Sequence, residues 1–279
     1  MRRLVIRPGA IGDTIVSLPA LERLCSTDGG VDYAEIWAPA RNLPLLRHLA
    51  PVRSFTSVQL DLLEIDPPRA LTERLRTFDE VVSWYGAARD EFRAALQSTG
   101  VSFRLFQALP PQGAGCHAVD FYLRQADFDC GSSPIAPSIP APRRTGNPAS
   151  RFIAIHPFSG SPGKNWELAS FQAAARQLAT ASGLPVEWSA GPDEELPQAR
   201  RFDSLDEVVH WLSGASLYIG NDSGITHLAA ACGVPAVAIF KVTDDAVWSP
   251  RGPRVELLRS PGIWEVVETS LALLRAAAL

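Results

Sequence analysis

The sequence predicts an α/β protein made of two doubly wound domains. Strand-like and helix-like segments alternate along the first half, a proline-rich stretch at 130–150 interrupts them, and the alternation restarts after it. Alternating strands and helices indicate a parallel sheet with helices on both faces. With 279 residues, of which 46% are apolar and 20% charged, the chain can form two ordinary domains, each with its own core.

In the first half, short apolar runs predict strands and leucines at helical spacing predict the helices between them. Strands are predicted at 3–7, 33–38, 52–57, 78–85 and 101–106. Helices are predicted at 14–24, at 42–49 and around Leu71. This half is expected to form the first domain, residues 1–145.

The linker is predicted at 130–150, because closely spaced prolines cannot continue a helix or a central strand. In the second domain, residues 146–279, strands are predicted at 152–155, 185–189, 217–219 and 236–240. Helices are predicted at 166–181, 205–212, 225–232 and 263–279, and the segment 240–252 is expected to be a loop with turns. The last helix is amphipathic and could pack back on the first domain.

Composition excludes several classes of protein. The four cysteines are far apart and the five histidines lack metal-ligand spacing, so neither a disulfide framework nor a metal site is expected. A net charge of −4 argues against a nucleic-acid partner. No apolar run is long enough to span a membrane, and the apolar run near the N-terminus is too short for a secretory signal. The expected location is the cytoplasm, with the cytoplasmic face of the inner membrane as an alternative.

The first candidate loop follows the first predicted strand and contains Gly9, Gly12 and Asp13. Glycines allow a tight turn and a close approach to a ligand. Asp13 stands where a helix begins, so it is either a functional carboxylate or simply a helix N-cap. The glycine spacing matches neither a dinucleotide fingerprint nor a P-loop.

Two loops of the second domain suit phosphate oxygens. One runs from His156 to Trp166 and carries Ser159, Gly160, Ser161 and Lys164; the alternatives are a solvated loop and, for His156, a buried structural side chain. The other runs from 220 to 227, before an alanine-rich helix, and a capped structural helix is its alternative. Asp222 would repel a phosphate, so a hydrogen bond to a ligand hydroxyl or a capping role fits it better.

Only two of the 26 basic residues, Lys164 and Lys241, are lysines. A lysine in an arginine-rich background can mark a place that needs a compact charge, although chance is the alternative. Trp248 could cover a base or fill an interface. No nucleophile–base pair is apparent.

Taken in order, these motifs resemble the family of ADP-heptose:lipopolysaccharide heptosyltransferases (glycosyltransferase family 9), which are bacterial inverting enzymes with the GT-B fold. The blocks that carry the resemblance are 7–13 with 17–21, 156–166, 191–194, 221–230 and 243–252. The resemblance implies two Rossmann-like domains that face each other across a cleft, with the acceptor on the first domain and the nucleotide sugar on the second. It also implies a metal-independent reaction with no cofactor, a donor linked to ADP, and a glycolipid or oligosaccharide acceptor.

The resemblance implies a role for each matching residue. Asp13 resembles the catalytic base, and Lys164 resembles the lysine that pairs with the donor diphosphate. Asp222 matches the residue that contacts the donor sugar, and Glu194 lies where the family holds the ribose. The other residues implied in donor binding are Gly12, Ser159, Gly160, Ser161, Ser223, Gly224, Thr226 and His227.

Some features depart from the family or leave alternatives open. The stretch 197–205 is shortened, and Lys241 replaces a usual glycine, where it adds a phosphate contact or alters the turn. Equal numbers of acids and bases in the first domain (16 each up to residue 145) favour a solvated mixed surface there. The alternative is that seven of its arginines meet an anionic acceptor: Arg41, Arg47, Arg69, Arg74, Arg76, Arg89 and Arg93. The alternatives to heptosyl transfer are transfer of another nucleotide sugar to a different acceptor, and a non-catalytic nucleotide-sugar-binding relative.

Overall fold

The computed structural model of the protein describes residues 1–27, 30–113, 115–128, 131, 133–142 and 151–277. The chain divides into two compact units, Met1–Ile135 and Ala136–Leu279. The division lies inside the predicted linker, ten residues before the predicted boundary at 145. Residues 130, 132 and 143–150 of that linker, with Gly146 and Pro148, lie outside the described residues.

The N-terminal unit contains a five-stranded parallel sheet in the order β3-β2-β1-β4-β5. Its strands are β1 Arg2–Ile6, β2 Tyr33–Ala38, β3 Val52–Ser54, β4 Glu80–Ser83 and β5 Ser102–Leu105. Its helices are α1 Ile11–Val16, α2 Leu18–Cys25, α3 Phe55–Val58, α4 Arg69–Leu75, α5 Asp90–Thr99 and α6 Ala118–Gln125. In the central register, Val5 of β1 lies between Ile36 of β2 and Val82 of β4.

The C-terminal unit contains a second five-stranded parallel sheet, in the order β10-β9-β8-β6-β7. Its strands are β6 Phe152–His156, β7 Val186–Trp188, β8 Ala215–Asn221, β9 Ala236–Phe240 and β10 Val255–Arg259. Its helices are α7 Leu168–Ser182, α8 Leu205–Gly214, α9 Gly224–Ala231, α10 Asp245–Trp248 and α11 Ile263–Ala276. The predicted α/β class is therefore confirmed, with a parallel sheet in each unit.

Alternating side chains of the strands pack against helices on opposite faces of each sheet. In β8, Leu217 and Ile219 lie in one core cluster with residues of α7 and α11. Tyr218 points to the other face, where its hydroxyl lies 3.1 Å from Thr226 of α9. Because strands buried on both faces expose almost nothing, every residue of β6, β8 and β9 is buried.

Two helix predictions and one strand prediction for the first half were wrong in detail, and each error has a local cause. The predicted helix 14–24 is two helices divided at Ser17, because Pro19 has no N–H and its ring crowds the preceding turn. The predicted helix 42–49 is a 3₁₀ helix, Ala40–Leu45, with Pro44 inside it. The predicted strand 52–57 ends at Ser54, whose hydroxyl accepts the Ser57 N–H at 3.0 Å and so begins α3.

Other elements were shifted or missed. The helix predicted from 166 begins at Leu168, because the Trp166 N–H donates to the side chain of Asn221 instead of joining the helix. The segment 240–252, predicted as a loop, contains α10, and Asp244 caps it by accepting the Ala246 N–H at 3.0 Å. Besides α3 and α10, the elements that were not predicted include α5, α6 and β10.

Within the described ranges, every helix is too short or too polar to cross a bilayer. The last helix, α11, packs against α7, β8 and β9 of its own unit. The described linker segment 133–142 has no regular structure, and Ile139 attaches it to the C-terminal unit by donating its N–H to the Ala231 carbonyl at 3.0 Å.

Candidate functional site

The strand order of the C-terminal unit identifies the edge at which a ligand should bind. The chain leaves β6 toward β7 on one side and returns to β8 on the other, so the order reverses between β6 and β8. In open parallel sheets, ligands bind at the carboxyl ends of the strands beside such a reversal. The loops that follow His156 and Asn221 stand there, and these are the two phosphate-type loops indicated by the sequence.

The loop after β6 is a short polar turn. The hydroxyl of Ser159 lies 2.7 Å from Oδ1 of Asn165 and 2.8 Å from the Ser161 carbonyl. Gly160 and Ser161 are exposed, and a 3₁₀ turn over Pro162–Lys164 closes with the Lys164 N–H donating to the Ser161 carbonyl at 3.0 Å. The turn therefore holds its own backbone while its outer face stays open to solvent.

Asn221 joins this loop to the end of β8. The side chain is fully buried, its Oδ1 accepts the Trp166 N–H at 2.8 Å, and its Nδ2 donates to the Pro157 carbonyl at 2.7 Å. A buried amide with both ends bonded is a rigid connection. The motif 221–230 includes this asparagine, but the sequence indicates no role for it, because its partners lie more than fifty residues away.

Lys164 and Asp222, which sequence reasoning treated separately, form an ion pair. Nζ of Lys164 lies 2.7 Å from Oδ2 of Asp222. The lysine side chain is 33% exposed and the aspartate side chain 7% exposed. The carboxylate is thus neutralised by the ammonium beside it, which removes the repulsion that an unpaired aspartate would present to a phosphate.

The loop after β8 is shorter than the sequence indicated, because α9 begins at Gly224. Ser223 is its N-cap and accepts the Thr226 N–H at 3.3 Å. Thr226 and His227 are buried in the helix, and the Thr226 hydroxyl bonds the Asn221 carbonyl. Of the predicted donor-binding side chains in this segment, Ser223 stands nearest the surface, with Gly224 beside it.

Glu194 and His156 lie together at the β6–β7 side of the sheet. Oε2 of Glu194 accepts the Gly191 N–H at 2.5 Å and lies 3.7 Å from Nε2 of His156. The His156 ring is buried, and its Nδ1 lies 3.1 Å from the Ser189 carbonyl, which can only accept a hydrogen. Burial lowers the pKa of His156, although the Glu194 carboxylate opposes the shift. The ring is therefore neutral at pH 7, with Nδ1 carrying the proton.

Asp13 lies in the first turn of α1, at the carboxyl end of β1. The N-terminal sheet reverses its strand order between β1 and β4, so this is its corresponding edge. Ala10, not Asp13, is the N-cap; Asp13 is the third helical residue, and its Oδ2 accepts the Ala10 N–H at 2.8 Å. Gly12 stands between them in the helix. Asp13 is partly exposed, and Oδ1, the other oxygen of its carboxylate, takes no part in that bond.

Gly9 is required in front of this turn. Its φ of +109° lies where side chains are disfavoured. A Cβ added there would lie 2.7 Å from Cβ of Asp13 and 2.8 Å from its Oδ2. The glycine therefore leaves room for the carboxylate.

Lys241 faces the loop that carries Lys164. Its Nζ donates to Oε1 of Glu167 at 3.1 Å and to the Asn165 carbonyl at 3.2 Å. It connects the end of β9 to the loop after β6. Trp248, in α10, is half-buried.

Most of the arginines proposed to meet an anionic acceptor already have partners. Arg69, Arg74 and Arg89 pair with Glu73, Glu35 and Glu64, and Arg76 donates to the Thr99 carbonyl. This pattern favours the solvated mixed surface. A cavity of about 440 Å³ nevertheless opens at the carboxyl ends of β4 and β5, lined in part by Trp84, Arg89 and Arg93.

Comparison with known proteins identifies the family. Residues 134–270, nearly the whole C-terminal unit, match the family model described as glycosyltransferase family 9 (heptosyltransferase). The chain carries a glycosyltransferase family 9 domain. The family 9 resemblance drawn from the motifs is thereby confirmed, and the matched region contains both phosphate-type loops.

Among curated proteins, lipopolysaccharide heptosyltransferase 3 of Escherichia coli is similar, with 29% identity over 115 residues. That alignment covers 36% of this chain and 34% of the relative, so it spans about a third of the relative's length.

Two solved structures resemble the whole chain. A glycosyl transferase family 9 protein from Veillonella parvula has a TM-score of 0.76 and 15% identity, covering 99% of this chain and 97% of that one. The E. coli ADP-heptose lps heptosyltransferase II has a TM-score of 0.73 and 17% identity, with full coverage of both chains. At such identities the likeness shows the fold, which is the GT-B architecture expected from the sequence.

No cluster of three or more histidine, cysteine, aspartate or glutamate side chains suited to a metal ion occurs among the described residues.

Proposed function

We propose that this chain is an inverting glycosyltransferase that moves heptose from ADP-heptose to an acceptor of the lipopolysaccharide core or a related surface glycan. The family supports glycosyl transfer as the activity. The name of the relative heptosyltransferase 3 and that of heptosyltransferase II support heptose and ADP as parts of the donor.

The observation that carries the proposal is the Lys164–Asp222 pair at the strand reversal of the C-terminal sheet. The Lys164 ammonium can stabilise the negative charge that develops on a diphosphate. When the ammonium bonds the diphosphate, the Asp222 carboxylate can accept a hydrogen bond from a sugar hydroxyl. Ser159, Ser161 and the amides at Gly160 and Gly224 surround the same edge with donors. Glu194 would accept the ribose hydroxyls.

The reaction would be a single displacement. The acceptor oxygen attacks the anomeric carbon as the bond from that carbon to the diphosphate oxygen breaks. Asp13 takes the hydroxyl proton, and ADP leaves with the bonding electrons, stabilised by Lys164. One displacement inverts the anomeric centre, and it needs neither a protein nucleophile nor a metal. The proposal requires both units to act on one donor–acceptor pair.

The test is Asp13→Asn, which keeps the shape of the side chain and removes its basicity. We expect kcat for ADP release from ADP-heptose, with a lipopolysaccharide-core acceptor, to fall by about 10²–10⁴-fold. ADP affinity and melting temperature should change little. EDTA should leave the wild-type rate unchanged.

The matched control is Asp79→Asn, because Oδ2 of Asp79 also accepts a backbone N–H, that of Arg2, at 2.7 Å. It should retain the wild-type kcat. A wild-type rate in Asp13→Asn, or a rate loss that only follows a loss of folded protein, would reject Asp13 as the base and leave it a capping residue.

A further inference from the structure

Arg7 is a buried cation directly behind the turn that carries Asp13. It follows β1 and is 1% exposed. Its Nε donates to the Ser17 hydroxyl at 2.8 Å, and its Nη2 donates to the Asp13 carbonyl at 2.6 Å. The guanidinium carbon lies 5.3 Å from the ring centre of Trp84 and 4.6 Å from that of Tyr122.

These partners carry no formal charge. Removing a guanidinium from water costs free energy that hydrogen bonds and aromatic faces offset only in part. An apolar side chain of similar volume would fill the same space without that cost. Stability of the core is therefore a poor reason for an arginine here, and the direction of its hydrogen bonds suggests another.

Asn42 bonds the same turn at other atoms. It is fully buried, and its Nδ2 donates to the Thr14 hydroxyl at 2.8 Å and to the Gly9 carbonyl at 3.1 Å. Its Oδ1 has no hydrogen-bond partner among the described residues. Arg7 and Asn42 thus bond groups of Asp13 itself and of residues before and after it in the chain, while the Asp13 carboxylate bonds the Ala10 N–H.

We propose that Arg7, assisted by Asn42, is a positioning residue that sets the orientation of Asp13 in the transfer reaction. The inference rests on the proposed role of Asp13 as the base. A general base acts only within hydrogen-bond reach of its proton, and small displacements of a reacting group reduce rates strongly. A short, six-residue helix such as α1 provides little rigidity of its own, so the two buried side chains supply it.

The experiment compares Arg7→Met with Arg3→Met in the full chain. Arg3 lies on β1, the strand that Arg7 follows, and is also buried, but its partners are Glu80, at 2.6 Å, and the Leu24 carbonyl, at 2.8 Å, away from α1. Arg7→Met should lower kcat by about 10²-fold while KM for ADP-heptose and Kd for ADP stay within about twofold. Arg3→Met should lower the melting temperature but leave kcat within about twofold of wild type.

Chemical rescue separates positioning from general damage. Guanidinium chloride at low millimolar concentration, far below denaturing levels, should restore kcat of Arg7→Met by about tenfold and have no effect on Arg3→Met. If Arg7→Met fails to fold, Arg7→Lys and Asn42→Ala test the positioning role, because each removes some of the hydrogen bonds to the turn that carries Asp13. Each should lower kcat by about tenfold at unchanged KM.

A folded Arg7→Met with wild-type kcat, or an equal loss of kcat in Arg3→Met, would overturn the positioning role. If Asp13→Asn is inactive in the same assay, that result leaves the proposed function standing. A wild-type rate in Asp13→Asn would instead reject Asp13 as the base, on which this inference rests, whereas no ADP release by the wild-type protein would reject the proposed function itself.

Discussion

Lys164→Ala tests the charge pairing at the candidate donor site. In the unliganded protein this change removes an ammonium 2.7 Å from Asp222 and leaves a carboxylate that is only 7% exposed without that partner. When ADP binds as proposed, the change removes the lysine proposed to pair with the diphosphate and exposes the phosphates to the Asp222 charge. Adenosine, which has no phosphate, should be unaffected by either consequence.

The expected size follows from the geometry. A hydrogen bond to a charged group contributes about 1.5–3 kcal/mol, so loss of the lysine should weaken ADP binding by roughly 10–150-fold. Repulsion from the unpaired Asp222 adds to that loss. The double variant Lys164→Ala/Asp222→Asn removes the repulsion and should bind ADP roughly 5-fold more tightly than Lys164→Ala alone, about 1 kcal/mol.

Isothermal titration calorimetry with ADP and with adenosine measures both effects, and circular dichroism checks the fold. The control is Lys241→Ala, because the other lysine of the chain is held by Glu167 and the Asn165 carbonyl. It should change ADP affinity by less than about twofold. Equal weakening of ADP and adenosine in Lys164→Ala, or a Lys241→Ala effect of the same size, would refute the reasoning.

Two further predictions concern the N-terminal unit. Burial by itself raises the pKa of Glu35, but hydrogen bonds from Arg74, Trp37 and Tyr33 outweigh it and lower the pKa. This stabilisation is present above the unfolded pKa of about 4.3 and is lost as pH falls through the folded pKa. Urea titrations should therefore show a flatter acid limb for Arg74→Met than for wild type, and parallel limbs would contradict this. Gly9→Ala should lower both the melting temperature and kcat. Gly30→Ala, with φ +74° and nothing within 4 Å of an added Cβ, should lower only the melting temperature. An equal loss of kcat in both variants would mean that backbone strain, and not crowding of Asp13, causes the loss.

The sequence predicted the fold well where burial dictates the residue pattern. The interior strands β2 and β9 begin and end at the predicted residues, because both are buried runs that are apolar except for Glu35 in β2. The edge strand β10, Val255–Arg259, was missed because it is only partly buried and mixes charged with apolar residues. The break at Ser17 was not predicted, because the helical spacing of apolar residues continues through it. The steric effect of Pro19 outweighs that pattern.

The candidate site was predictable only in part. Loops that follow buried parallel strands indicated the neighbourhoods of Lys164 and Asp222, but not that the two side chains pair. Asn42 lies 28 residues from its partner Thr14. Contacts over such separations leave no local pattern in the sequence, so the residues that hold the site were harder to recognise than those that face solvent. The roles of the site residues remain predictions.

Asn221 has a mechanical consequence for ligand capture. Because one buried amide bonds both ends of the Pro157–Trp166 turn to the last residue of β8, the two loops of the C-terminal unit form a single stiff piece. A nucleotide that binds there as proposed would meet loops that are already ordered, so little loop entropy would be lost on association. Removal of these hydrogen bonds, as in Asn221→Ala, would leave two loops that become ordered only when a ligand binds.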